Sequence, residues 1–248
     1  VSNTGLTGSD TPNVGDVPRH DTEGEAMPGG WEVEPITADD NNFLDHHEIQ
    51  ENWTENKASA RTRVPPIYQE AKLEHPTIQG WVDGLVDAAR NDVRSPCPAI
   101  VRGPSLLLLG PIGTGKTHAA YATLLALMAS GARCRWEFTT ESGYLAALRP
   151  RPRVDAEEEF ERYAKAAVLV IDDMGAAKDT EWASEQNYRL INRRYEWDKP
   201  TLITSNIPLV GTPAQPGFAA VVGDRVASRL RAMCTTVSFK GEDRRARP

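Results

Sequence analysis

SLLLLGPIGTGKTH, Ser105 to His118, is the stretch that decides the fold. Leu106 to Leu109 form an unbroken apolar run, the pattern of a strand buried on both faces. Gly110 to Thr117 satisfies the spacing G-x-x-x-x-G-K-[ST] in full, and a helical pattern runs on from Gly115 to Ser130. Strand, glycine-rich loop and helix in that order make a phosphate cradle. Gly110, Gly113 and Gly115 let the backbone take conformations that aim successive N–H groups inward. The helix that begins near Gly115 presents its positive end to the same place. Lys116 is expected to reach the terminal phosphates and the Thr117 hydroxyl to ligate a magnesium ion. The expected ligand of Gly110, Pro111, Ile112, Gly113, Thr114, Gly115, Lys116 and Thr117 is therefore ATP with Mg²⁺.

On either side of this stretch, strands alternate with helices. Downstream, the sequence predicts strands over CRWEF (134–138), AVLVIDD (167–173), TLITSN (201–206) and TTVSF (235–239). Helices are predicted over Glu141–Leu148, Asp155–Ala166, Thr180–Trp197 and Phe218–Met233. Upstream, His75 to Asn91 has a helical period, with Ile78, Trp81, Val82, Leu85 and Val86 on one side. Residues 94–104, with three prolines, read as a connection. Alternation of this kind implies an α/β fold, a parallel sheet with helices on both faces.

A phosphate cradle also needs an acidic residue at the end of a neighbouring strand to position the metal. VLVIDD supplies two. Asp172 is expected to hold Mg²⁺ through water and Asp173 to polarise an attacking water. Asn206 ends LITSN, a strand expected beside that of Asp172, where its amide would orient water against the terminal phosphate. Asp173 is one methylene shorter than glutamate, so slow hydrolysis is expected.

Bulk properties narrow the classes. The chain has 248 residues, 40% apolar and 25% charged, as in globular proteins. No stretch approaches the roughly 20 apolar residues of a membrane span. Cys97, Cys134 and Cys234 lack metal-ligand spacing and read as reduced thiols of a cytoplasmic protein. The net charge of −7 is uneven: residues 1–67 carry 13 acidic and 4 basic residues, the remainder 22 and 24. Residues 1–35 have no apolar periodicity and are expected to be disordered. Thr37 can cap a short helix over 37–56, with Phe43, Leu44, Ile49 and Trp53 on a sparse stripe. The expected organisation is an acidic extension over 1–63 with a partner-binding helix, then an ATPase domain over 64–248. DHHE (45–48) reads as solvated, since adjacent helical residues point apart.

Together these residues resemble the DnaC/IstB group of AAA+ ATPases. The resemblance runs from about Val64 to Arg245. It rests on GPIGTGKTH, including His118, and on VLVIDDMGAAK, in which a second Asp stands in place of Glu. EWASEQNYRLINRRY before TLITSN, GDRVASRL, FKGEDRR and the lead-in RVPPIYQEAKL add to it. It implies a P-loop NTPase of AAA+ type without a C-terminal helical lid. It implies Arg229, rather than Arg225, as an arginine finger serving the neighbouring subunit of an ATP-dependent homo-oligomer. It places Arg245, or Arg244, as a sensor arginine at the nucleotide. Members load replicative helicases or assist a transposase, so either partner is implied, with the helicase loader as first reading. A nucleotide-binding regulator with no DNA role fits the P-loop alone. Arg149, Arg151 and Arg153, in the proline-stiffened loop LRPRPRV, are candidate contacts to single-stranded DNA.

Overall fold

The computed structural model describes residue 58 and residues 62–92, 97–178, 180–241 and 243. The expected helix over 37–56, the DHHE run, Arg244 and Arg245 lie outside the described residues. A 3₁₀ turn (Pro66–Tyr68) and helix α1 (Pro76–Arg90) come first. Then follow β1 (Ser105–Leu109), α2 (Lys116–Ala129), β2 (Trp136–Thr140), α3 (Glu141–Ala147), α4 (Ala156–Lys165), β3 (Val168–Asp172) and α5 (Glu181–Glu196). The chain continues through β4 (Thr201–Ser205), α6 (Phe218–Val222), α7 (Asp224–Met233) and β5 (Cys234–Ser238).

The five strands form one parallel sheet in the order β2-β3-β4-β1-β5. Period-two alternation of each strand divides the core in two. Leu106, Leu108, Val168, Val170, Leu202 and Val237 face α1 and α2. Leu107, Leu109, Leu169, Ile171 and Ile203 face α3 to α7. Helix α2 is buried along most of its length, so it is apolar nearly all round, whereas α4 and α7 are amphipathic. Val64, Ala71 and the apolar side of α1 join the core of α2, so the lead-in segment is part of the same body.

Local chemistry fixes the helix starts. The side chains of Thr140, Asp155 and Thr180 accept hydrogen bonds from the first free N–H groups of α3, α4 and α5. Two boundaries and one strand adjacency depart from the sequence expectation. The second strand runs over 136–140, not 134–138, because its register is set by pairing Trp136 with Val168 and Thr140 with Asp172. The predicted helix over 218–233 is broken at Gly223, whose φ of 87° ends α6 before α7 begins. The strand of Asp172 is not the immediate neighbour of the P-loop strand: β4 lies between them.

Arg194 of α5 is a charged residue wholly inside this core. Its guanidinium donates to the carbonyls of Tyr163, Ala164 and Ala166 at 2.9–3.1 Å, to Pro200 O at 2.7 Å and to Thr201 Oγ1 at 2.8 Å. Burial pushes its pKa down to about 9, so it keeps its charge at neutral pH. Three of its acceptors lie at the carboxyl end of α4, where a cation is favoured. Replacing it takes a donor from four buried carbonyls at once, of which Pro200 O keeps Leu169 N at 3.2 Å. Arg194→Leu is expected to lower the unfolding free energy by roughly 3–5 kcal/mol in a urea titration, at unchanged slope.

Candidate functional site

The site gathers at the carboxyl ends of β1, β3 and β4. The loop after β1 has Gly110, Gly113 and Gly115 at φ of 155°, 78° and 95°. Gly115 is the residue before α2, and its left-handed backbone turns the loop into the helix. A Cβ at Gly110 would overlap the carbonyl oxygen of Phe239, and one at Gly113 would overlap the Asp243 carboxylate. Gly110 is therefore required by both conformation and space, and Gly113 and Gly115 by conformation. Thr114 Oγ1 donates to Pro111 O at 2.9 Å and closes the loop on itself. Ile112 is exposed on its outer side. The Lys116 ammonium is buried and donates to Gly110 O at 2.8 Å and Pro111 O at 2.7 Å.

Asp172 ends β3 with only 5% of its surface exposed. Thr117 Oγ1 donates to its two oxygens at 3.1 and 3.0 Å, and Thr204 Oγ1 of β4 donates to Oδ1 at 2.5 Å. Burial raises its pKa most. The Thr204 hydrogen bond, the Thr117 hydrogen bond and the Lys116 charge oppose that, while the Asp173 charge adds to it. Asp173 lies just past the strand at φ 55°, a left-handed conformation uncommon for a side chain other than glycine. Its N–H donates to Thr204 Oγ1 at 3.0 Å, and its carboxylate accepts from Asn206 Nδ2 at 2.9 Å. Lys116, Thr117, Asp172, Asp173 and Asn206 are thus brought to one end of the sheet. A hydroxyl and a carboxylate in contact beside a phosphate cradle form the donor set suited to Mg²⁺, which takes few protein oxygens and keeps most of its waters.

His118 packs its ring edge toward Tyr68 at 6.4 Å, on the side of α2 where Tyr68, Tyr121 and Phe138 stack in series. Arg229 stands on α7. Its Nε donates to Asn192 Oδ1 at 3.0 Å and its guanidinium lies over the Tyr195 ring at 4.9 Å, both residues of α5. Arg225 lies over Tyr188 in the same way. Arg149, Arg151 and Arg153 are exposed in the loop after α3, with Arg149 near the Trp182 ring and Arg153 at φ 64°.

Two contributors escaped the sequence reading. Thr204 joins the Asp172 carboxylate to the Asp173 backbone; a threonine inside an apolar strand was its only signal. Glu141, buried at the start of α3, accepts from Gly175 N, Ala177 N and Asn187 Nδ2 at 2.9, 3.0 and 2.5 Å. It thereby fixes the backbone that follows the two aspartates.

The family model described as IstB-like ATP binding protein matches residues 92–248. A protein of insertion sequence IS21 from Pseudomonas aeruginosa, named for ATP binding, is 32% identical over 155 residues, which is 59% of this chain and 54% of that protein. The phage-like element PBSX protein XkdC of Bacillus subtilis is 30% identical over 139 residues, 54% of this chain and 49% of that one. The chain thus spans about half the length of the curated relatives it matches. Among solved structures, the DnaC helicase loader superposes with a TM-score of 0.57 at 24% identity, over 71% of this chain and 100% of that one. A DnaA initiator bound to AMPPCP and single-stranded DNA gives 0.53 at 18% identity, over 73% and 52%. The fold is that of the AAA+ P-loop NTPases. Among the described residues, no helix is long and apolar enough to cross a membrane.

Burial of Asp172 carries a testable cost. A carboxyl whose pKa is raised in the fold loses stability as pH climbs from its unfolded value to its folded value. Asp172→Asn is therefore expected to melt at a higher temperature than the parent at pH 7, and the gain should vanish as pH falls below about 4, the ordinary aspartate range. Thermal melts across that pH range check it.

Proposed function

The chain belongs to the family of IstB-like ATP-binding proteins, and from that premise we propose that it is an ATP-hydrolysing switch that assembles on DNA and acts on a protein partner. The observation that carries the reading is the contact of Thr117 with Asp172 beside Lys116, which joins a cradle for phosphates to a seat for a metal. In this reading the loop Gly110–Thr117 binds the phosphates, with His118 at its end, and Lys116 swings from the loop carbonyls to the terminal phosphates. Thr117 and Asp172 would hold Mg²⁺, which when bound would supply positive charge beside the phosphates. Asp173, aligned by Asn206, accepts hydrogen bonding from the attacking water and orients it. The left-handed backbone of Asp173 is the kind of local strain that active sites keep. Hydrolysis on this reading is slow and rises with DNA or partner.

Arg229 completes the site of a neighbouring copy. Its hold on Asn192 and Tyr195 keeps the guanidinium in place before any copy arrives, which lowers the entropy lost on assembly. Arg229→Ala is expected to retain nucleotide binding and to lose ATPase activity by about a thousandfold or more, the scale of an arginine finger. Lys116→Ala is expected to lose binding. Mixing the two inactive variants should restore part of the activity, because one supplies the loop and the other the arginine. A mixture as inactive as its components would remove the role in trans.

Two partner classes meet the reading. Relatives from insertion sequences favour a transposase, with duplex DNA as the substrate of assembly. The front of the chain, with 13 acidic and 4 basic residues over 1–67, offers no basic module of the kind that binds duplex DNA, which favours a replicative helicase. Residues 37–63, within the extension 1–63 to the ATPase domain, are the proposed partner contact, as a helix laid into a groove. Arg149, Arg151 and Arg153 grip single-stranded DNA through phosphates. Pull-down of the purified chain with a purified replicative helicase and, separately, with a purified transposase decides between them. ATP-dependent retention of one and not the other is the expected result; retention of neither would leave the partner role without support.

A further inference from the structure

The end of β5 folds back over the phosphate cradle. Phe239 N donates to Leu109 O at 2.6 Å, so β5 stays paired with β1 to the edge of the loop. The Phe239 carbonyl and Cβ then close on Gly110, and the His75 ring stacks on Phe239 from outside at 5.8 Å. Gly241 follows at φ 121° with open space where a side chain would stand. Two residues later, the Asp243 carboxylate sits against Gly113, where a Cβ would overlap both its oxygen and its carbon. An exposed carboxylate is thus laid on the middle of the loop whose inward N–H groups, helix end and Lys116 all favour negative charge.

We infer that Asp243 is a built-in competitor of the nucleotide's phosphates and sets the chain's nucleotide affinity. The inference rests on the nucleotide reading of the P-loop. Phosphates approaching Gly113 meet a like charge on the loop they must occupy. The carboxylate therefore lowers affinity in proportion to the charge of the ligand: most for the triphosphate, less for the diphosphate, not at all for the nucleoside. Linkage makes the effect reciprocal, so bound phosphates drive the carboxylate off Gly113 by the same factor. Asp243 is exposed and Gly241 beside it is unobstructed, so the displacement breaks no core packing.

Asp243→Asn keeps the shape and removes the charge; Asp243→Glu keeps the charge. Titration of the full chain with adenosine, ADP and a non-hydrolysable ATP analogue, by calorimetry at low and at high salt, tests the inference. Asp243→Asn is expected to bind the triphosphate analogue more tightly by on the order of tenfold at low salt. The gain should be smaller for ADP, absent for adenosine and reduced at high salt, with Asp243→Glu behaving like the parent. A purely structural role would not give a gain graded by ligand charge. Equal or weaker binding of the triphosphate analogue by Asp243→Asn overturns the inference. Lys116→Ala separates the two ways to fail. If the parent binds ATP no better than Lys116→Ala, the nucleotide reading falls and takes the inference with it. If the parent binds well but Asp243→Asn gains nothing, only the role of Asp243 falls.

Discussion

A carboxylate forced into the end of a parallel sheet is the constraint around which this molecule is arranged. Asp172 cannot be buried alone, because its charge would lose its water without replacement. Two hydroxyls replace that water, Thr117 from α2 and Thr204 from β4. Both reach it only because β4 lies between β1 and β3, which puts α2 on one side of the carboxylate and the β4 side chains on the other. The same strand then sends Asn206 to Asp173. The strand order and the chemistry of the site are one arrangement seen at two scales.

Much of this was legible in the chain. Leu106–Leu109, VLVI and TLIT are apolar runs that only a sheet covered on both faces can bury, and the loop spacing named its own ligand class. Strand order was legible only in part: the strand of Asn206 was expected beside that of Asp172, as found, but period and composition do not say that it also separates Asp172 from the P-loop strand. The interposed β4 and the role of Thr204 were lost for that reason. Arg194 was invisible as a core residue for a related one: its burial depends on carbonyls of α4 and on Pro200, brought to it by the fold from outside its own helix. The break at Gly223 lay within a helical period, and a lone glycine does not announce whether a helix tolerates it or stops.

Family membership and geometry support each other at the nucleotide and part company beyond it. The matched region, residues 92–248, contains the loop, both aspartates, Asn206 and Arg229. It does not contain the acidic front of the chain. The same fold carries structures named for helicase loading and for replication initiation, so the sheet by itself names no partner.

Glu141 gives the site a mechanical outlet. Its carboxylate grips the backbone at Gly175 and Ala177, directly after the two aspartates, and it is also the first residue of α3. That helix has seven residues, so it is a stiff strut of about 10 Å, and the loop of Arg149, Arg151 and Arg153 leaves its far end. Glu141 is thus a rivet: its buried carboxylate fastens the backbone that follows Asp172 and Asp173 to the helix from which the loop of three exposed arginines departs.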